Sequence, residues 1–189
     1  QAGQPVRLEH RQGDITIRAH ALHEVQIRAS LRVSADRLED AREFCNQIEI
    51  VVETAGSIFI RTKYPDSDGA SFWNRKNIGY SVNYEITLPE AAPLEVRNRF
   101  GGVSVTGIKA DANIDNAHGL LAFRDARGNQ RLGNSFGAVE VSNNAGDVEV
   151  TNSNGNVTLG QIEGQARVSN RFGAVSLSKI SRAATIRNS

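Results

Sequence analysis

Four histidines, His10, His20, His23 and His118, are the residues of this 189-residue sequence best suited to metal or proton chemistry. No pair of them has the spacing of a helical metal motif or a nearby cysteine, so no metal site is expected. His20 and His23 fall in a polar turn. His118 stands 18 residues from both Phe100 and Phe136, which predicts ring stacking rather than ligation. Cleavage of a glycan on an outer β-face would need two positioned carboxylates. The candidates Asp111, Asp115, Asp125 and Asp147 are assigned to different positions of the repeat described below, so no catalytic residue is named and the chain is not expected to be an enzyme. The single Cys45 cannot form an internal disulfide and reads as a small core residue. Recognition chemistry gathers in Phe72-Trp73-Asn74-Arg75-Lys76, where an aromatic beside an arginine can stack on a sugar ring or anchor a protein interface. Phe72, Trp73, Arg75 and Lys76 are therefore the expected ligand or partner residues; the competing role for Trp73 is to fold back and seal the side of the protein.

Composition excludes several classes. With 22 basic against 21 acidic residues the net charge is +1, too little to draw nucleic acid or an anionic membrane over distance. No apolar run reaches the 18 or more residues of a membrane span, so direct membrane insertion is not expected. No cofactor is implied. There is no Met, even at position 1, and the opening QAGQPV reads as a processing or cloning boundary, with a removed export signal as one explanation. Hydrophobic content of 39% with 17 Gly fits a single all-β domain over 1–189.

The elements that would carry these residues begin with alternation at Val6 and Leu8, at Ile15 and Ile17, and from Val25 to Val33. A helix is predicted at about 34–46, with Ser34 capping it and Leu38, Ala41 and Cys45 on one face. Strands resume at Ile48–Val52, Ile58–Ile60 and Val82–Leu88, interrupted by the aperiodic 64–79 stretch. Residues 1–93 thus form an irregular strand region with one helix.

From 94 to 189 the chain repeats. Asn98, Asn116, Asn134, Asn152, Asn170 and Asn188 stand 18 apart, as do Gly101, Gly119, Gly137, Gly155 and Gly173. Each unit carries two apolar pairs nine residues apart, as in Val103 and Val105, then Ala112 and Ile114; only Gln130 breaks the pattern. Two short alternating strands per 18-residue unit describe a coil of a β-solenoid, in which each strand pairs with its copy one coil on. The pattern leaves open whether a coil has two faces or three. Stacked asparagines would form a structural ladder, since each amide can both donate to and accept from its neighbours. An outward row, Glu95, Asn113, Arg131, Glu149, Arg167 and Thr185, reads as a solvated structural face. The row opposite, Ser104, Ala122, Glu140, Thr158 and Ser176, is small or polar throughout.

The stretch VNYEITLPEAAPLEVRNRFGGVSVTGI, with its strand ending in Leu88-Pro89, Asn-x-x-Gly turn and G-x-V-x-V units, resembles the bacterial putative-adhesin domain of unknown function, also called the toastrack domain. GDITIRAH near the start resembles that family's opening turn. The resemblance covers 80–189 well and 6–62 loosely. It implies an extracytoplasmic or envelope protein and brings no catalytic residues. The expected function is a noncatalytic, adhesin-like surface module whose partner is a protein or a glycan. The alternatives are a self-associating structural solenoid, with end-to-end dimers through the C-terminal coil, and a glycan-active β-helix enzyme.

Overall fold

The structure is a computed structural model and describes residues 3–65 and 77–189. In chain order the elements are β1 (Val6–Gln12), β2 (Ile15–His20), β3 (Gln26–Ser34), α1 (Leu38–Asn46), β4 (Glu49–Glu53), β5 (Ile58–Lys63), β6 (Gly79–Pro89), β7 (Leu94–Phe100), β8 (Val103–Thr106) and β9 (Ala112–His118). They continue as β10 (Leu121–Arg127), β11 (Gln130–Phe136), β12 (Val139–Ala145), β13 (Val148–Asn154), β14 (Val157–Ile162), β15 (Ala166–Phe172), β16 (Val175–Ile180) and β17 (Ala184–Asn188). The chain is a β-solenoid, and its coils have two faces. One sheet runs β17-β15-β13-β11-β9-β7-β1-β5-β4 and the other β16-β14-β12-β10-β8-β2-β6-β3.

The 18-residue period becomes parallel register: Leu132 lies between Ile114 and Val150, and Val141 between Phe123 and Leu159. Alternation sends Val103, Val105, Ala112 and Ile114, with their apolar counterparts as far as Val168, into one continuous core, while Ala184 and Ile186 of the last coil are exposed. Gln130 occupies such an inward position, only 2% exposed, and is fully satisfied there. Its Oε1 accepts from Ala112 N at 3.1 Å, and its Nε2 donates to Arg127 O at 2.9 Å and Ala110 O at 3.3 Å.

One more inward position per coil escapes simple alternation. Ile108, Ala126, Asn144 and Ile162 point inward. Each follows a residue at positive φ: Gly107, Asp125 (55°), Asn143 (57°) and Gln161 (58°). That left-handed residue lets two consecutive side chains face outward before the chain turns in again, at a cost of roughly 1–2 kcal/mol for a non-glycine residue. At the other corner the glycine requirement is steric. A Cβ on Gly137 (φ 131°) would fall against the backbone carbonyl of Gly119 one coil below, with no side chain there to yield.

The strands before residue 94 extend the stack, but out of chain order. The β1–β2 coil lies under β7–β8 (Val6↔Leu94, Ile15↔Val103), and the β5–β6 coil lies under β1–β2 (Val6↔Ile58, Ile15↔Tyr84). The turn after β6 therefore steps past one coil to reach β7, held by Glu90 N donating to His20 O and Lys109 N donating to Glu90 O. Below this, β3 and β4 close the two sheets by antiparallel pairing with β6 and β5.

The helix differs in detail from the expectation. Ser34 ends β3 and its hydroxyl donates to Gly79 O at 3.4 Å, so it does not cap α1, whose N-cap Arg37 makes no side-chain cap bond. Ala41 and Phe44 form the buried face, while Leu38 is exposed and Cys45 half-buried. Phe44 packs on Tyr80 with ring centroids 5.0 Å apart.

Candidate functional site

The asparagine row is buried inside the coil. Asn98 Nδ2 donates to Asn116 Oδ1 at 3.0 Å, Asn116 to Asn134 at 3.2 Å, and Asn152 to Asn170 at 3.1 Å. Between these two runs the pattern changes. Asn134 gives its amide protons to Gly119 O (3.2 Å) and Gly137 O (3.1 Å), and Asn152 donates to Gly155 O as well. The row therefore ties coils together through amide-to-amide bonds in two runs and through the corner glycines. This is structural work, and it leaves no amide facing solvent until Asn188, which is exposed.

His10 continues the row below Asn98, in register with it. It is 8% exposed and sits edge-on to Tyr84 with centroids 5.0 Å apart. Its Nδ1 lies 3.3 Å from Thr62 Oγ1, which lies 2.7 Å from Tyr84 Oη. Burial holds the His10 pKa down at about 4, because the charged imidazolium would lose its hydration there. Burial likewise pushes Tyr64 up to about 12 and raises Tyr84. This cluster completes the polar seam within the core.

At the glycine corner the predicted stack is present. His118 lies between Phe100 and Phe136 with centroids 4.9 and 4.8 Å away and interplanar angles of 17° and 5°. The guanidinium of Arg99 lies over Phe100 at 5.2 Å. His20, at the end of β2, accepts at Nδ1 from Leu22 N at 2.9 Å. Among the described residues no three His, Cys, Asp or Glu side chains are grouped so as to hold a metal ion.

The opposite corner supplies what sequence reasoning missed. Asp111 and Asp147 were assigned to different coil positions, but they occupy the same one, two coils apart, with Asn129 between them and Gln165 beyond. Asp111 Oδ1 accepts from Asn129 N at 2.8 Å, Asn129 Oδ1 from Asp147 N at 3.4 Å, and Asp147 Oδ1 from Gln165 N at 2.8 Å. Each side chain fixes the backbone of the next coil. The signal was available in the 36-residue separation of the two aspartates.

This corner row and the outward row of Arg7, Glu95, Asn113, Arg131, Glu149 and Arg167 form the two sides of an open groove of about 590 Å³. It crosses the rungs of the first sheet, parallel to the stack. Arg7 Nε lies 3.3 Å from Glu95 Oε2, Arg97 Nη2 3.1 Å from Glu95 Oε1, and Arg131 Nε 3.3 Å from Glu149 Oε2. Thr185, at the end of this row, does not line the groove. The face expected to be merely solvated thus includes an open concavity. Phe72, Trp73, Arg75 and Lys76 lie outside the described residues. Among the described residues no helix is long and apolar enough to cross a membrane.

No known family profile and no curated protein sequence matches the chain. Among solved structures it is similar to a putative cell adhesion protein from Clostridium sporogenes ATCC 15579, with 10% sequence identity and a TM-score of 0.35, over 100% of this chain and 94% of that one. The fold described above rests on the strand register of this chain itself.

Proposed function

We propose that the chain is a noncatalytic, adhesin-like interaction module that works outside the cytoplasm and presents its groove to an extended partner. The observation that carries this reading is how the groove's carboxylates are engaged. Glu95 is held by Arg7 and Arg97 and Glu149 by Arg131, while Asp111 and Asp147 hold backbone N–H groups of the next coil. General acid–base cleavage of a glycan needs two carboxylates placed to exchange protons with the substrate and with water. Here the four serve ion pairs and corners. The same arrangement favours binding, because the strands that carry these side chains are paired on both sides and their backbone need not be ordered when a partner docks. Extracytoplasmic placement is supported by the sequence resemblance.

The test is adhesion of the fluorescently labelled chain to intact cells and to purified cell-envelope material. Asn113, exposed in the middle of the groove, is the position to block. Asn113→Trp should abolish adhesion, and Thr158→Trp on the other sheet should leave it intact. Release of soluble fragments from the bound material would overturn the noncatalytic reading, and equal adhesion by both variants would overturn the groove as the site.

A further inference from the structure

We propose that the groove binds an uncharged, extended polysaccharide lying along the stack, about one sugar to each coil. This rests on the interaction-module reading and names its ligand class. Three observations point to it.

The first is repeat length. Arg7, Glu95, Asn113, Arg131, Glu149 and Arg167 sit on successive paired strands. Strand neighbours are ~4.8 Å apart, so six rungs present equivalent positions over about 24 Å. That spacing is close to the length one pyranose ring adds to an extended 1,4-linked chain.

The second is the floor. A peptide captured by a β-protein usually adds as a strand, using free N–H and C=O groups at a sheet edge. This groove crosses strands β7, β9, β11 and β13, and each of them already has a bonded neighbour on both sides. No backbone is offered, so recognition must come from side chains. Those available are planar and polar: Asn113, Arg131 and Glu149 on one side, and Asp111, Asn129 and Gln165 on the other. Amide, carboxylate and guanidinium groups of this kind form paired hydrogen bonds to adjacent hydroxyls.

The third is charge. Three arginines face four carboxylates among the described lining residues, a balance of −1. A nucleic acid or a polyuronate would meet no excess positive potential, and phosphate backbones in particular need several unpaired cations. An uncharged chain meets no penalty. Among the described residues no aromatic ring lines the groove. Each sugar therefore gains little by itself, and affinity must accumulate over many rungs.

Calorimetric titration of the full chain with cellohexaose, chitohexaose, the trimer of each, and a hexameric oligogalacturonate tests this. One of the two neutral hexasaccharides should bind at least about tenfold more tightly than its trimer, and at least about tenfold more tightly than the uronate. Asn113→Trp should weaken it about tenfold or more, the milder Asn113→Ser by a few fold, and Thr158→Trp not at all. Thermal melts of each variant report folding, and Asn113→Ser keeps the test valid if the Trp variant does not fold. Failure of both neutral hexasaccharides to bind, equal affinity for trimer and hexamer, or binding that survives both Asn113 changes would overturn the proposal. Groove-dependent adhesion to cells without hexasaccharide binding would overturn the sugar class and leave the interaction module standing. Absence of any adhesion would overturn both.

Discussion

Residues 94–189 and the strands before them solve one packing problem in two ways. In the asparagine row of the repeats each inward residue meets its own copy, so the row favours a side chain that can both give and take a hydrogen bond. Asparagine can, and Asn116 accepts from Asn98 while donating to Asn134. Below residue 94 the stacked partners are unlike: His10 lies next to Thr62, and Thr62 next to Tyr84. There the cost of burial appears as a displaced ionisation, with His10 held down at about 4. Repetition allows one solution to be reused at every floor, but it forbids a Cβ at the stacked corner. The irregular end keeps that constraint at Gly13, where a Cβ would meet the Val82 carbonyl, but it adds antiparallel strands β3 and β4 and a helix that close the stack.

The stacked corner of the repeats and the open hairpin turn of the irregular end should differ most sharply in what a glycine replacement costs. Gly137→Ala, whose Cβ would meet the Gly119 carbonyl, should cost more than about 3 kcal/mol in denaturant unfolding, since backbone must move. Gly56→Ala, in the turn between β4 and β5 with open space around it, should cost only the left-handed penalty of about 1–2 kcal/mol. Equal losses would show that both sites pay for backbone conformation alone.

Acid should weaken the irregular end first. The unfolded chain takes up a proton on His10 near pH 6.5, whereas the folded chain resists until about 4. The stabilising contribution of neutral His10 is therefore complete above pH 6.5 and is lost as pH falls to about 4. Its size is on the order of 3 kcal/mol. Hydrogen exchange in β1 and β5 should accelerate over that window while β13 and β15 stay protected. In His10→Gln the extra acceleration should vanish; its persistence would place the sensitivity elsewhere.

Within the repeats, Asn134→Ala should cost ~1–3 kcal/mol, because it strands the Asn116 amide and two glycine carbonyls. Asn188→Ala, exposed at the end of the row, should cost less than about 0.5 kcal/mol. Similar melting temperatures for the two variants would remove energetic meaning from the buried ladder. The smallest effect belongs to the surface: a double-mutant cycle on Arg131 and Glu149 should return ~0.2–1 kcal/mol and shrink with added salt. A larger, salt-insensitive coupling would mean that the groove wall is rigidly organised by its charges.

Legibility in the sequence follows the same division. The 18-residue spacing of the asparagines and glycines gave register, core and the His118 stack directly, because a parallel pair of coils turns a sequence period into spatial contact. Strict alternation hid the inward Ile108 and Asn144, which depend on a left-handed residue just before each. The helix was found, but its cap and its buried face were misplaced. Ser34 has the chemistry of a cap, and pairing of β3 with β6 takes it into a strand instead. The polar corner was missed by treating Asp111 and Asp147 as unrelated, so the groove read as one bland face.

The sequence alone therefore determined that the C-terminal half is a stack of 18-residue coils and which residues lie on top of one another. Tertiary structure decided the rest. Only in three dimensions does the β1–β2 coil slip between β6 and β7, joining residues 88, 69 and 52 positions apart with no shared period. The groove likewise exists only there, because it is made by two rows of side chains from different turns of the chain, and a concavity is a property of neighbouring rungs.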